Sequence, residues 1–355
     1  MPYANLPDDA FWKLCRGQDD GFLSTLYKPG FQCRAGDTIA TAGSCFAQHF
    51  GSWVKRSNLR FLNVEPGPAL MTQATARSYG YDIYSARYGN IYSARQLRQL
   101  VEDSLHQDIH DCAIWEQGGK WFDGLRPQIE PDGYPSREEL FLHRRTHLKR
   151  VHRMFRKADV FVFTLGLTEA WQDRDGTIFP TAPGVIAGRF DPAQHSFVNF
   201  RVSEVIDDLT QTVEALKRLN HRLRVLLTVS PVPLTATASG DHVVQATTYS
   251  KSVLRVAANE VAGLYDHVDY FPSYEIITNP MFSTAFYDAN LRTVKPEGVR
   301  TVMSTFFGAH PGLAVSPDPD EIGDTRSGRA ALPEDEDADD ELVCEELLLE
   351  AFARR

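Results

Sequence analysis

Residues 37–56 read DTIATAGSCFAQHFGSWVKR. The opening DTIATA has the small and β-branched composition of a buried strand. From Gly43 onward, Phe46, Phe50 and Trp53 recur at helical spacing. The chain therefore passes from strand to helix within a few residues, and the same alternation continues downstream. LRFLNV (59–64), DVFVFTLG (159–166), LRVLLTVS (223–230) and VDYFPSY (268–274) read as further strands. The second and third of these are near-continuous apolar runs, as expected for strands covered on both faces. Helical patterns occupy 93–106, 136–157, 202–219, 242–261 and 296–309, with Pro296 suited to a first helical position. Repeated alternation of this kind predicts an α/β fold, a doubly wound parallel sheet with helices on both faces. Two segments, 107–135 and 171–199, read as irregular excursions, and the second is long enough to carry function.

The 355 residues carry a formal charge of −10, but its distribution is uneven. Residues 313–355 hold 14 acidic and 4 basic residues, which leaves 33 of each sign in 1–312. The sequence thus divides into a neutral body, 1–312, and an acidic tail, 313–355. The tail is expected to be largely disordered, with a short amphipathic helix at 342–352 able to dock a protein partner. A neutral body offers no basic footprint for nucleic acid. No run approaches the roughly 18 apolar residues of a membrane span. The N-terminal MPYANLPDDAFWK lacks a basic-then-apolar leader pattern. Five scattered cysteines without CxxC spacing point to a reducing cytoplasm rather than to disulfides or zinc. His143 and His147 stand four apart in HRRTH, but the flanking arginines repel a cation, so the segment reads as a solvated basic helix face. No metal and no cofactor are expected, and no phosphate-cradling glycine motif is present.

In a doubly wound sheet the chemistry sits in the loops at the carboxyl ends of the strands. Gly43-Ser44-Cys45 is the first such loop. A serine there presents its hydroxyl beside the N–H groups of a helix start, which suit a developing oxyanion. The ordinary reading makes Ser44 a helix N-cap. Cys45 competes as nucleophile, but consecutive residues at a helix start point in different directions.

Gly43-Ser44-Cys45-Phe46-Ala47 also spells the name-giving motif of the GSCFA family, which is grouped with the SGNH/GDSL-like hydrolases. YGNIYSARQL (88–97), FVFTLGLTEAW (161–171), LLTVSPVPLTATA (226–238), HVVQATTYSKSVLR (242–255) and YFPSYEI (270–276) resemble the same family, in order, across about 35–305. The resemblance implies a flavodoxin-like sheet and a serine nucleophile, Ser44, acting on an ester through an acyl-enzyme. It also implies oxyanion donors near the nucleophile's own N–H, at Gly89 with Asn90, and in the turn Gly166-Leu167-Thr168-Glu169. Thr168 stands there where the wider superfamily has Asn.

The Asp-x-x-His that such enzymes carry before the last helix is not matched, because Tyr287–Val294 contains Asp288 but no histidine. His242, next to Asp241 and opening a helix, is the first alternative base, and His195 the second. Asp241, Asp288 and Glu169 compete as the orienting acid. The expected activity is hydrolysis of, or acyl transfer from, a small-molecule or carbohydrate ester. The alternative is a non-catalytic binding module with an incomplete triad.

Overall fold

A computed structural model describes residues 1–15, 23–281, 286–316, 348–349 and 352–353. Most of the acidic tail, and nearly all of the helix expected at 342–352, lies outside the described residues. In chain order the first elements are α1 (Trp12–Cys15), α2 (Leu23–Leu26), β1 (Thr38–Gly43), α3 (Ala47–Lys55) and β2 (Arg60–Phe61). Next come α4 (Gln73–Ser78), α5 (Ala94–His106), β3 (Ile114–Gln117), β4 (Lys120–Asp123), α6 (Arg137–Lys157) and β5 (Val160–Leu165). β6 (Glu169–Asp173), β7 (Ile178–Phe179), β8 (His195–Asn199) and α7 (Val202–Leu219) follow. The series closes with β9 (Arg224–Val229), α8 (Val243–Leu264), β10 (Val268–Phe271), α9 (Ser273–Thr278) and α10 (Pro296–Gly308).

Five strands pair in parallel in the order β2-β1-β5-β9-β10. Counting only these strands, the order is 2-1-3-4-5, the flavodoxin-type winding. The direction of winding reverses between β1 and β5, so the crevice outside their carboxyl ends is the place this topology leaves open for a ligand. The register pairs Gly43 with Thr164 at that point.

Alternate strand residues feed two apolar layers, as the two-residue strand period requires. Ala40, Ala42, Phe161, Phe163, Val225 and Leu227 face a layer built with α5, α6, α7 and α8. Ile39, Val160, Val162 and Leu226 face Phe50 and Val54 of α3, Ile276 of α9 and Phe306 of α10. Helix starts follow their local chemistry. The Ser93 and Ser136 hydroxyls accept from the N–H groups of Gln96 and Glu139, and Pro296 opens α10.

The departures from the sequence reading have local causes. The strand expected over 59–64 pairs only at Arg60–Phe61, because Val64 donates to Ser85 O and the chain peels away. The excursion 107–135 contains the β3–β4 hairpin. That at 171–199 belongs to an antiparallel sheet, β7-β6-β8, closed by Glu169 opposite Asn199. The body also runs past 312: Val315 bridges to Ser57, and Ser316 donates to Arg56 O. HRRTH is not a solvated face. His143 is exposed, whereas Arg144 and His147 are buried, paired with Asp103 (2.9 Å) and Glu65 (2.7 Å). Among the described residues, no helix is long and apolar enough to cross a membrane.

Candidate active site

β1 ends at Gly43, whose φ of +142° brings its Cα against β5; a Cβ there would run into the Thr164 backbone. Glycine is the residue that tolerates both the dihedral and the approach. Ser44 follows, and its N–H donates to Thr164 O at 3.0 Å. The turn then tightens through Ala47 N to Ser44 O and Gln48 N to Cys45 O, so α3 begins only at Ala47. The Ser44 hydroxyl does not cap this helix, because α3 has no side-chain cap. Ser44 is 3 % exposed, and its Oγ has no hydrogen-bond partner among the described residues. The expectation of an exposed hydroxyl at the rim is corrected here: the oxygen is enclosed.

What encloses it is the neighbouring loops. Ser44 and Cys45 line a cavity of about 10 Å³ with Tyr92, Gly166, Lys251 and the segment Ser230–Leu234. That volume is about one water-sized sphere. Gly166 closes on the serine so tightly that a Cβ on it would lie 3.0 Å from Ser44 Cβ and 3.2 Å from Tyr92 O. The Tyr92 carbonyl ties the two loops together, accepting from Gly166 N at 2.8 Å and Leu167 N at 3.1 Å. Ile91 N in turn donates to Gly43 O, which lays residues 88–92 across the end of β1. Gly89 and Asn90 lie on that segment. Asn90 is buried, with its Oδ1 facing the Tyr84 hydroxyl, which also lies 3.1 Å from Ser44 O.

The amide hydrogens expected to stabilise an oxyanion are thus engaged in this state, that of Ser44 by Thr164 O and that of Gly166 by Tyr92 O. Thr168 is turned away from the cavity. Its hydroxyl donates to Asn199 Oδ1 (2.7 Å) and its N–H to Ser250 Oγ (2.9 Å), the first bond following from the β6–β8 pairing. Glu169 receives Thr237 Oγ1 at 2.5 Å and so fastens the 237–239 loop; burial pushes its carboxyl up.

The structure does not bring either candidate imidazole to the cavity. His242 is exposed at the start of α8, where its Nδ1 accepts from Val244 N at 3.2 Å. Asp241, beside it, is exposed and donates its N–H to Ser239 Oγ. His195 sits on β8, packed against Phe179 and Phe190, with Nδ1 accepting from Asp191 N. Asp288 holds the turn before α10, its N–H donating to Thr293 O. Tyr287 beside it donates to Pro231 O at 2.7 Å, between the lining residues Ser230 and Val232.

Lys251 is the residue that sequence reading missed. It is 2 % exposed, and Nζ lies 2.5 Å from the carbonyl oxygen of Gly166. Its signal is its position on α8 one residue after the buried Ser250, at the border of that helix's packed face.

A parallel sheet of flavodoxin-type winding, with an enclosed serine and a glycine turn meeting at its switch point, is the arrangement of an α/β protein that binds or transforms a small ligand there. The particular family follows from sequence: a model of the GSCFA family matches residues 38–306, and the chain belongs to that family. No curated protein matched it. Among solved structures, an acetyl xylan esterase (Est2A) from the rumen bacterium Butyrivibrio proteoclasticus is similar at 11% identity and a TM-score of 0.25. The match covers 68% of this chain and 56% of that one, so the chain spans little more than half of that protein's length.

Proposed function

We propose that this protein is a serine-dependent ester hydrolase or O-acyltransferase, working through an acyl-enzyme on Ser44 with acylated carbohydrates as the substrate class. The observation that carries the reading is the state of the Ser44 hydroxyl. It stands at the switch point, caps no helix, and has no hydrogen-bond partner among the described residues although buried. A buried hydroxyl left unsatisfied is costly, on the order of 1–3 kcal/mol, and at the switch point of the sheet a reacting or bound group is the partner that would offset that cost.

In this reading Oγ attacks the ester carbonyl as its proton passes to a base. The tetrahedral intermediate collapses with return of that proton to the leaving alkoxide. Water or a sugar hydroxyl then takes the acyl group. The oxyanion is received at the amides of Ser44 and Gly166, which exchange the carbonyls of Thr164 and Tyr92 for it, and beside the Asn90 side chain.

The test is labelling by a fluorophosphonate together with turnover of 4-nitrophenyl acetate and an acetylated oligosaccharide. Ser44→Ala is expected to abolish labelling and lower turnover by roughly 10³-fold or more. Equal labelling of wild type and Ser44→Ala removes the nucleophile assignment.

The engaged amides favour a second reading, a binding module without chemistry. It predicts a bound acid or sugar with no turnover and no labelling in the wild-type chain.

A further inference from the structure

Ester cleavage by Ser44 needs a group to take its proton, and the expected histidines do not stand at the cavity. All eleven histidines of the chain fall within the described residues, and none lines the space around Ser44. The titratable side chains that do line it are Cys45 from the turn after β1, Tyr92 from the segment before α5, and Lys251 from α8. Glu169, at the start of β6, faces Thr237 and Ala238 instead.

Of these three, only Lys251 carries a nitrogen able to accept a proton and return it. Its amino group reaches the Gly166 carbonyl at 2.5 Å, and Gly166 itself lies against the Ser44 side chain. We propose that Lys251 is the general base for Ser44, a serine–lysine pair in place of serine–histidine. The inference rests on the reading of Ser44 as nucleophile.

Serine–lysine pairs are a recurrent solution to the same chemistry. The step balances without a further reagent. Neutral Nζ takes the hydroxyl proton as the Oγ–acyl bond forms. The resulting ammonium protonates the departing alkoxide as the ester bond breaks. In the second half Nζ takes a proton from water or a sugar hydroxyl, and returns it to Oγ as the acyl-enzyme bond breaks. The bond to Gly166 O fixes the end of an otherwise flexible four-carbon stem at the wall of the same cavity, and Nζ has to turn from that carbonyl to reach Oγ, which has no hydrogen-bond partner among the described residues.

The rival role for Lys251 is positional, an ammonium that fastens the Gly166 turn. Lys251→Arg and Lys251→Gln separate the two. Both keep a donor for the carbonyl, but neither takes a proton at neutral pH. The experiment measures the rate of Ser44 labelling by a neutral fluorophosphonate and the burst of 4-nitrophenyl acetate acylation, with the melting temperature of each variant.

The expected result is a fall of roughly 10³-fold in both rates for both variants, with wild-type-like melting. Labelling of either variant within tenfold of wild type overturns the proposal and leaves the positional role. Loss of rate in His195→Ala or His242→Ala, with the lysine variants intact, overturns it in favour of imidazole. If neither lysine variant folds, the wild-type labelling rate between pH 6 and pH 10 decides. A rate rising through one ionisation is expected, and a flat profile overturns the base. Failure of the wild-type chain to label at all overturns the Ser44 reading first, and this inference with it.

Discussion

Two buried polar regions lie back to back around residues 84–92, and they are built on opposite plans. Below that segment, Glu65, Asp103, Asp123, Arg87, Arg126, Arg144 and His147 are all nearly inaccessible, and every charge faces an opposite one or a polar partner. Glu65 accepts from His147 Nδ1 and from Arg87 N, each at 2.7 Å. Arg126 meets Asp123 at 2.6 Å and Arg144 meets Asp103 at 2.9 Å. Above the segment, the Ser44 cavity holds one partnerless hydroxyl and one amino group set on a carbonyl. Among the buried side-chain polar atoms of the seven residues below the segment only His147 Nε2 lacks a partner, and a network so nearly saturated mainly holds things in place. An unsaturated one is ready to bond with something that arrives. The first region thus supports the loop that carries Gly89, Asn90 and Tyr92, and the second is where chemistry is expected.

The largest test of that division is Glu65→Ala. It leaves His147 Nδ1 and the Arg87 backbone N–H without their acceptor and should cost about 3–5 kcal/mol of stability by denaturant unfolding. Ser44 labelling should weaken as well, since the 88–92 segment loses its support. Next comes Gly43→Ala, which forces a strained dihedral and a backbone collision at the β1–β5 junction. The expected loss is at least roughly 1–3 kcal/mol, seen as a lowered melting temperature.

Acid should act on the support region rather than on the cavity. Burial outweighs the pull of Glu65 and brings the His147 imidazole down to about 4. Burial pushes the Glu65 carboxyl up, but His147, Arg126 and the Arg87 amide more than offset it, and the net shift is downward. Both folded pKa values therefore lie below their unfolded ones. Below the ordinary histidine value of about 6.5, the unfolded chain binds a proton that the native state refuses, and below about 4.5 the same holds for the carboxyl. Stability is greatest above pH 6.5 and falls as the pH drops toward 4. His310, brought down to about 4 by burial, adds to the fall, while His110, raised by its bond to Asp103, opposes it. Melting curves at pH 7 and pH 5 should show the drop, and His147→Gln, which removes the imidazole that refuses the proton, should flatten it. The smallest effect expected is that of Tyr84→Phe, about 1 kcal/mol for one hydroxyl between Ser44 O and Asn90. A larger loss there than at Glu65 would dissolve the distinction between support and cavity.

The central strands were readable because burial on both faces leaves an unmixed apolar run, as in Val160–Leu165 and Arg224–Val229. β7 and β8 were not: one has two residues, the other alternates weakly, and their pairing joins residues some distance apart in a glycine- and proline-rich stretch. Ser44, Cys45 and Gly166 could be found from a turn motif directly after a strand. Lys251, Arg144 and His147 could not, because a cation on a helix reads as solvent-facing unless the packing of its neighbours is known. Thr168 was misplaced for a similar reason, since Asn199, which claims its hydroxyl, is 31 residues away.

The segment over Ser44, from Ser230 to Leu234, is latched at two points: Tyr287 donates to Pro231 O, and Leu234 N donates to Thr247 Oγ1. A chamber with room for a single water shuts out even an acetyl group while those latches hold. An acyl donor of the proposed reaction would have to displace that segment, breaking those two bonds, before it met Ser44.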